Sequence, residues 1–240
     1  MNEPLPPSLP SLPAFASGAI SAPACLSEAW ARVKPQYGVF LGITVVGLLL
    51  GGVAPLGILL GPMMCGIYLA YREQALGRPV AFDRLFKGFD HFLDSFIAAL
   101  LMLGASLVIT LPLVFVILFS AFASAAAADQ GSGFAMGGCL GIALGGLLLV
   151  LASALVSLLF AFAFPLIADR KLPGLEAVKL SFRAAWANLG GLALLALLTA
   201  LLSLAGLACC YVGVFLILPV TLGAHWICYE RVFGIAPEGD

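Results

Sequence analysis

The chain has 240 residues, 62% of them hydrophobic and only 10% charged, with a net charge of −1. Soluble domains carry about 25% charged residues, and a soluble fold of this length could not hide so much apolar surface. The near-neutral balance also lacks the basic surplus of a nucleic-acid binder, so composition points to an integral membrane protein with several helical spans.

Residues 1–25, MNEPLPPSLPSLPAFASGAISAPAC, hold six prolines and no Lys or Arg. A secretory signal needs a basic start and a longer apolar core, so this stretch reads as a disordered, Pro-rich cytoplasmic tail. PLPPSLPSLP has the composition that docks aromatic grooves; a merely solvated tail has it too. Residues 26–37, LSEAWARVKPQY, then set Leu26, Trp30, Val33 and Tyr37 against Glu28 and Arg32 at helical spacing, the pattern of an amphipathic helix in the membrane interface.

The apolar block 36–71 is long enough for two spans of ~20 residues each, with a turn signal at GGVAP, 51–55. A second amphipathic stretch follows at 82–96, FDRLFKGFDHFLDSF. Phe82, Leu85, Phe86, Phe89, Leu93 and Phe96 form one stripe, and Asp83, Lys87, Asp90 and Asp94 another. The blocks 95–128 and 137–168 would each run to about 50 Å as one helix, longer than a hydrocarbon core. Splitting both would give eight spans, but VITLPLV around Pro112 offers no Gly, Asn or Asp for a turn. A tilted or kinked long helix suits that stretch better.

A third amphipathic segment begins after Pro173-Gly174. Val178, Phe182, Ala185, Trp186 and Leu189 recur at helical spacing, with Glu176, Lys179 and Arg183 on another face. The block 188–229 again holds two spans, with Gly206 and Gly213 near its midpoint. Trp30 and Trp186 are natural interface anchors.

The basic residues fall in four groups: Arg32 and Lys34; Arg72, Arg78, Arg84 and Lys87; Arg170, Lys171, Lys179 and Arg183; and Arg231. With two, one, one and two spans in the four blocks, every group lies on one side, and the opposite loops hold no Lys or Arg. By the positive-inside rule both termini are cytoplasmic. The expected fold is an all-α membrane protein with six transmembrane helices in three hairpin-like units, each preceded by a cytoplasmic amphipathic interfacial helix. The spans are expected at about 36–52, 53–71, 95–124, 138–168, 188–207 and 210–229. They lie in one membrane domain, 26–235, followed by a short tail, 236–240, and the expected setting is the bacterial cytoplasmic (inner) membrane.

The first and last units also resemble each other. PMMCGIYLAYREQALG (62–77) and PVTLGAHWICYERVFG (219–234) align without a gap, matching Pro62, Gly66, Glu73 and Gly77 to Pro219, Gly223, Glu230 and Gly234. A repeated unit of elbow helix plus two spans explains this, all copies entering from one face. Inverted repeats are the commoner transporter signature.

Four stretches carry a wider likeness: GPMMCGIYLA (61–70), LFKGFDHF (85–92), the series Asp169, Glu176-Ala177, Ser181 and Asn188, and ICYERVFG (227–234). On these the chain resembles, over about residues 26–235, a broad group of uncharacterised bacterial multi-pass membrane proteins. Their domain is loosely related to the membrane domain of some glycerophosphodiester phosphodiesterases. The resemblance implies a six-span cytoplasmic-membrane fold. It carries over no catalytic or binding residue, and no stretch reads as the phosphodiesterase catalytic domain.

Chemistry-bearing patterns are few. The expected spans contain no Asp, Glu, Lys or Arg, whereas ion paths and proton relays usually need one. His225 reads as a residue near the headgroups rather than a relay. Asp90, His91 and Asp94 have the spacing to share a metal, or to form a solvated polar face; no metal, cofactor or catalytic residue is assigned. Cys139 lies where it could pair with Cys209 or Cys210 in an oxidising compartment, while Cys65 and Cys228 read as small buried hydrophobes. Gly137, Gly141 and Gly145, four apart, permit close helix packing, and Pro62, Pro112, Pro165 and Pro219 are candidate kinks or hinges.

The function expected from this pattern is a non-enzymatic scaffold, assembly or envelope-maintenance component of the membrane. Its partners are the lipid bilayer and, in that role, other membrane proteins; no nucleic acid is implied, and the oligomeric state is left open. The alternative is a transporter or flippase of an apolar or lipid-like substrate, which needs no buried charge.

Overall fold

The computed structural model describes residues 13–53, 57–126, 132–208 and 212–237. Within them the chain is helical, with no strand. In order the elements are α1 (Ala22–Val33), a 3-10 turn (Lys34–Gln36), α2 (Tyr37–Val53) and α3 (Leu60–Ala75). A long 3-10 helix (Phe82–His91) then leads into α4 (Phe92–Ala126), α5 (Ser132–Leu159), α6 (Ala163–Arg170), α7 (Gly174–Ala187), α8 (Leu189–Ala208) and α9 (Val212–Phe233). Five stretches are long and apolar enough to cross a bilayer: Ala22–Val53, Phe82–Ala126, Gly137–Arg170, Leu189–Ala208 and Val212–Phe233.

The helix expected over 53–71 is the one that differs most. α2 runs on to Val53, and α3 begins at Leu60 and has 16 residues, about 24 Å, short of the ~20 residues a span needs. It is enclosed by protein rather than presented outward: ten of its residues are buried, from Gly61 to Glu73. The cause is visible in its glycines. A Cβ on Gly66 would collide with the Leu85 carbonyl, and one on Gly61 with the Ser95 carbonyl. Gly88, from the other side, lies against the Pro62 carbonyl and the Gly66 amide. GPMMCG and LFKGF therefore pack backbone on backbone.

That contact also explains why 82–91 departs from the expected α-helix. In a 3-10 helix residues three apart eclipse, so Leu85 and Gly88 share one ridge and are buried against α3. Phe86, Phe89 and Phe92 form an exposed ridge, and Lys87 and Asp90 stand on the third. The expected single apolar stripe is thus divided, with only Leu85 going to the core.

α4 continues through Pro112 as one helix of 35 residues, about 52 Å long, so no turn forms there. The helix expected at 138–168 breaks instead at residues 160–162, between α5 and α6. Ser181 of α7 repairs the break: its hydroxyl donates to the Leu159 carbonyl at 2.7 Å and accepts from the Phe162 amide at 3.1 Å. Backbone groups freed inside a membrane protein need such partners. Pro165 then falls in the first turn of α6, where the missing N–H costs nothing.

Large side chains collect at one end of the molecule. Trp226, Tyr71, Tyr229, Phe40 and Phe162 are fully buried in a base built from α1, α3, the 3-10 helix, α6, α7 and the ends of α2, α4, α8 and α9. From it the α4–α5 hairpin projects, and no described residue of α4 beyond Ala99 is buried. The outer half of α8 and the first residues of α9 are similarly open.

Candidate functional site

The charged residues of the base form two layers of contacts between elements distant in sequence. In the first, Arg231 reaches Glu28 at 2.9 Å, and Arg32 bonds Glu28 at 2.5 Å and both oxygens of Glu230 at 2.9 and 2.8 Å. Glu230 also accepts from the Trp226 indole at 2.6 Å. Alternating signs thus stitch α1 to α9, and the Arg32 carbonyl accepts from Gln74 of α3.

The second layer surrounds Asp169, whose side chain is fully buried. Its carboxylate accepts from Arg72 at 2.7 Å, from the Tyr229 hydroxyl at 2.7 Å and from the Ala236 amide at 3.0 Å. Arg170 donates to the Phe233 carbonyl at 2.6 Å and to Tyr229 at 3.3 Å. Glu73, also buried, lies 3.4 Å from Arg84 and 3.6 Å from Arg78. Six of the arginines are thereby engaged within the base, whereas Lys34, Lys87, Lys179 and Arg183 are exposed and make no ion pair among the described residues. Planar guanidinium groups suit enclosed pairing better than ammonium groups do.

Most of the motif residues have structural partners here. Asn188, which ends α7, accepts from the Ala19 amide at 3.2 Å and donates to the Ala16 and Ala184 carbonyls. The Ala16 amide bonds Val232, and Phe15 packs on Phe233. The chain is therefore held against α9 well before residue 25, and the expected tail boundary falls inside α1; residues 1–12 lie outside the described residues. Asp94 accepts from the Gly174 amide at 3.0 Å, tying the start of α4 to the start of α7, so it serves a turn. Among the described residues no three His, Cys, Asp or Glu side chains converge as a metal site would need. His225 donates through Nδ1 to Thr221 one turn back, at 2.8 Å.

The glycines expected at helix contacts are re-sorted. Gly141 and Gly145 do face α4, against Ser120 and Ile117, but Gly137 has open space beside it and the third contact is Gly138, against Ser124. Gly206 and Gly213 lie near the facing ends of α8 and α9. Each lies on the other's backbone, a Cβ on Gly206 falling 2.8 Å from Gly213 C. The matched repeat glycines behave alike. Gly77 and Gly234 have φ of 73° and 70° just past the ends of α3 and α9, where a left-handed residue stops a helix. Gly66 admits the 3-10 helix, and Gly223 admits Ala29 and Val33 of α1.

Of the candidate kinks, Pro62 and Pro165 sit in first turns, and Pro112 and Pro219 lie inside α4 and α9. The Pro219 carbonyl accepts from Tyr71 at 2.5 Å. Trp30 and Trp186 are exposed, at 48% and 62%. Cys65 and Cys228 are buried and Cys139 is an exposed free thiol; Cys209 and Cys210 lie outside the described residues.

One open concavity stands out beside these closed layers. Leu26 and Trp30 of α1, Tyr37, Leu198 and Leu202 of α8, and Leu216 of α9 line a groove of about 670 Å³ with almost no polar surface. Within its lining Tyr37 donates to the Leu216 carbonyl at 2.5 Å, tying α2 to α9. Sequence reasoning missed this groove because its walls come from three segments that hydropathy does not distinguish from lipid-facing surface. Comparison with protein-family models, with curated proteins and with solved structures finds no match to this chain.

Proposed function

We propose that the chain is a multi-pass protein of the bacterial cytoplasmic membrane, acting as a non-enzymatic scaffold, assembly or envelope-maintenance component. In this reading it crosses six times, α3 being a short crossing enclosed by the base, and both termini face the cytoplasm. The observation that carries the proposal is the α4–α5 hairpin. Val108, Phe115, Phe119 and Phe122 on α4 and Leu147, Val150 and Leu151 on α5 are exposed and offer a long lateral apolar surface. The base behind it uses six of its arginines on itself, which suits a platform more than a reaction centre. Photo-crosslinking residues placed at Phe119 and Leu148 in native membranes test this. Discrete protein adducts at one face support a scaffold, and lipid adducts alone at every position count against it.

The groove favours a second reading, the handling of an apolar or lipid-like substrate. Accelerated movement of a labelled lipid across proteoliposomes holding the purified chain would place that reading first.

A further inference from the structure

We propose that the groove between α1, α8 and α9 binds a single anionic glycerophospholipid, with one acyl chain along Leu198, Leu202 and Leu216 and the phosphate at Lys34. The inference rests on the membrane-embedded reading above and adds a ligand to it. Its volume, about 670 Å³, lies within the ~300–1,000 Å³ of small-molecule sites. Its lining is hydrocarbon, and α8 and α9, which supply much of it, also carry exposed Leu201, Leu204 and Phe215, so an acyl chain is the occupant that the surrounding solvent itself supplies.

Charge complementarity supplies the headgroup. Trp30, Lys34 and Tyr37 follow one another at four and three residues, across the end of α1 and the 3-10 turn, which keeps them on one face. Trp30 and Tyr37 line the groove, with ring centroids 6.0 Å apart, and Lys34, outside the lining itself, is about one turn from each along the chain. Lys34 is exposed and makes no ion pair among the described residues. Glu28 of the same helix and Glu230 of α9 are already matched by Arg32 and Arg231. A lysine one turn from each of two interfacial aromatic rings that line an apolar slot is the complement of a phosphate joined to an acyl chain.

The test is native mass spectrometry of the full-length chain, released from nanodiscs of equal phosphatidylglycerol and phosphatidylcholine into mild detergent. The expected spectrum shows one retained phospholipid per chain, with phosphatidylglycerol preferred about five-fold, the effect of one lysine at a membrane surface. Lys34→Ala should keep the lipid and lose the preference; Leu202→Trp, which fills the slot, should lose the lipid. Retention unchanged in Leu202→Trp, a preference unchanged in Lys34→Ala, no retained phospholipid, or a chain dimer occupying the groove would each overturn the proposal. Should Leu202→Trp fail to fold, Lys34→Ala still decides the matter by headgroup preference. Alkaline extraction of the same membranes separates the two readings: a chain released from the membrane defeats the parent proposal, and one that stays but carries no lipid defeats this one alone.

Discussion

The base and the α4–α5 hairpin are both rich in Leu, Phe and Gly, yet they use these residues in opposite ways. In the base, Trp226, Tyr71 and Phe40 are enclosed, Phe40 stacks on Tyr71 at 4.8 Å, and glycines serve to bring backbones into contact. In the hairpin, Phe115, Phe119 and Phe122 point away from the protein, at 69%, 62% and 73% exposure. Toward their outer ends the two helices approach closely where Gly138, Gly141 and Gly145 meet Ser124, Ser120 and Ile117, and nearer the base Met102 and Ala105 of α4 pack with Val156 of α5. Water would drive the hairpin's side chains together. In lipid that force vanishes, and close packing of small residues holds the pair. The difference shows that apolar content alone does not tell a core from a lipid-facing surface.

The contrast can be broken or sharpened by substitution, with unfolding in mixed micelles as the readout. Trp226→Ala should cost the most, about 3–5 kcal/mol, because a fully buried indole is lost and Glu230 loses a donor. Arg72→Met should come close, at about 3–5 kcal/mol, since it strands the enclosed Asp169 carboxylate; adding Asp169→Asn should recover part of that loss. Gly88→Ala should cost about 1–3 kcal/mol or more, as its Cβ has nowhere to go against Pro62 and Gly66. On the hairpin, Phe119→Ala should stay within about 0.5 kcal/mol. Gly104→Ala, with open space beside it, should be neutral or gain up to about 1 kcal/mol. Equal costs in base and hairpin would remove the distinction.

Much of this organisation was legible in the sequence, though by region rather than by contact. The grouping of Lys and Arg marks the elements that make the base, and the apolar blocks place helices at 36–52, 95–124, 188–207 and 210–229, within a few residues of α2, α4, α8 and α9. The motif residues Asp169, Ser181 and Asn188 were visible as a series, but their partners are far away in sequence, as in Arg32 with Glu230 and Arg72 with Asp169. Spacing reveals contacts within one helix, such as Trp226 with Glu230, and cannot reveal those. The start of α3 is hidden from hydropathy, because Leu56, Gly57, Ile58 and Leu59 are as apolar as a span. The 3-10 form of 82–91 follows from the backbone contact of Gly88 with α3, a tertiary effect that a 3.6-residue pattern hides.

The account depends on the base and the hairpin tip lying on opposite sides of a membrane. Single cysteines placed at Lys179 and Ala126, in a chain otherwise free of cysteine, can be labelled with an impermeant maleimide in intact cells and in inverted vesicles. The account predicts that Ala126→Cys reacts in intact cells and Lys179→Cys only in inverted vesicles. Labelling of both from the same side, or recovery of the chain in the soluble fraction, would contradict it.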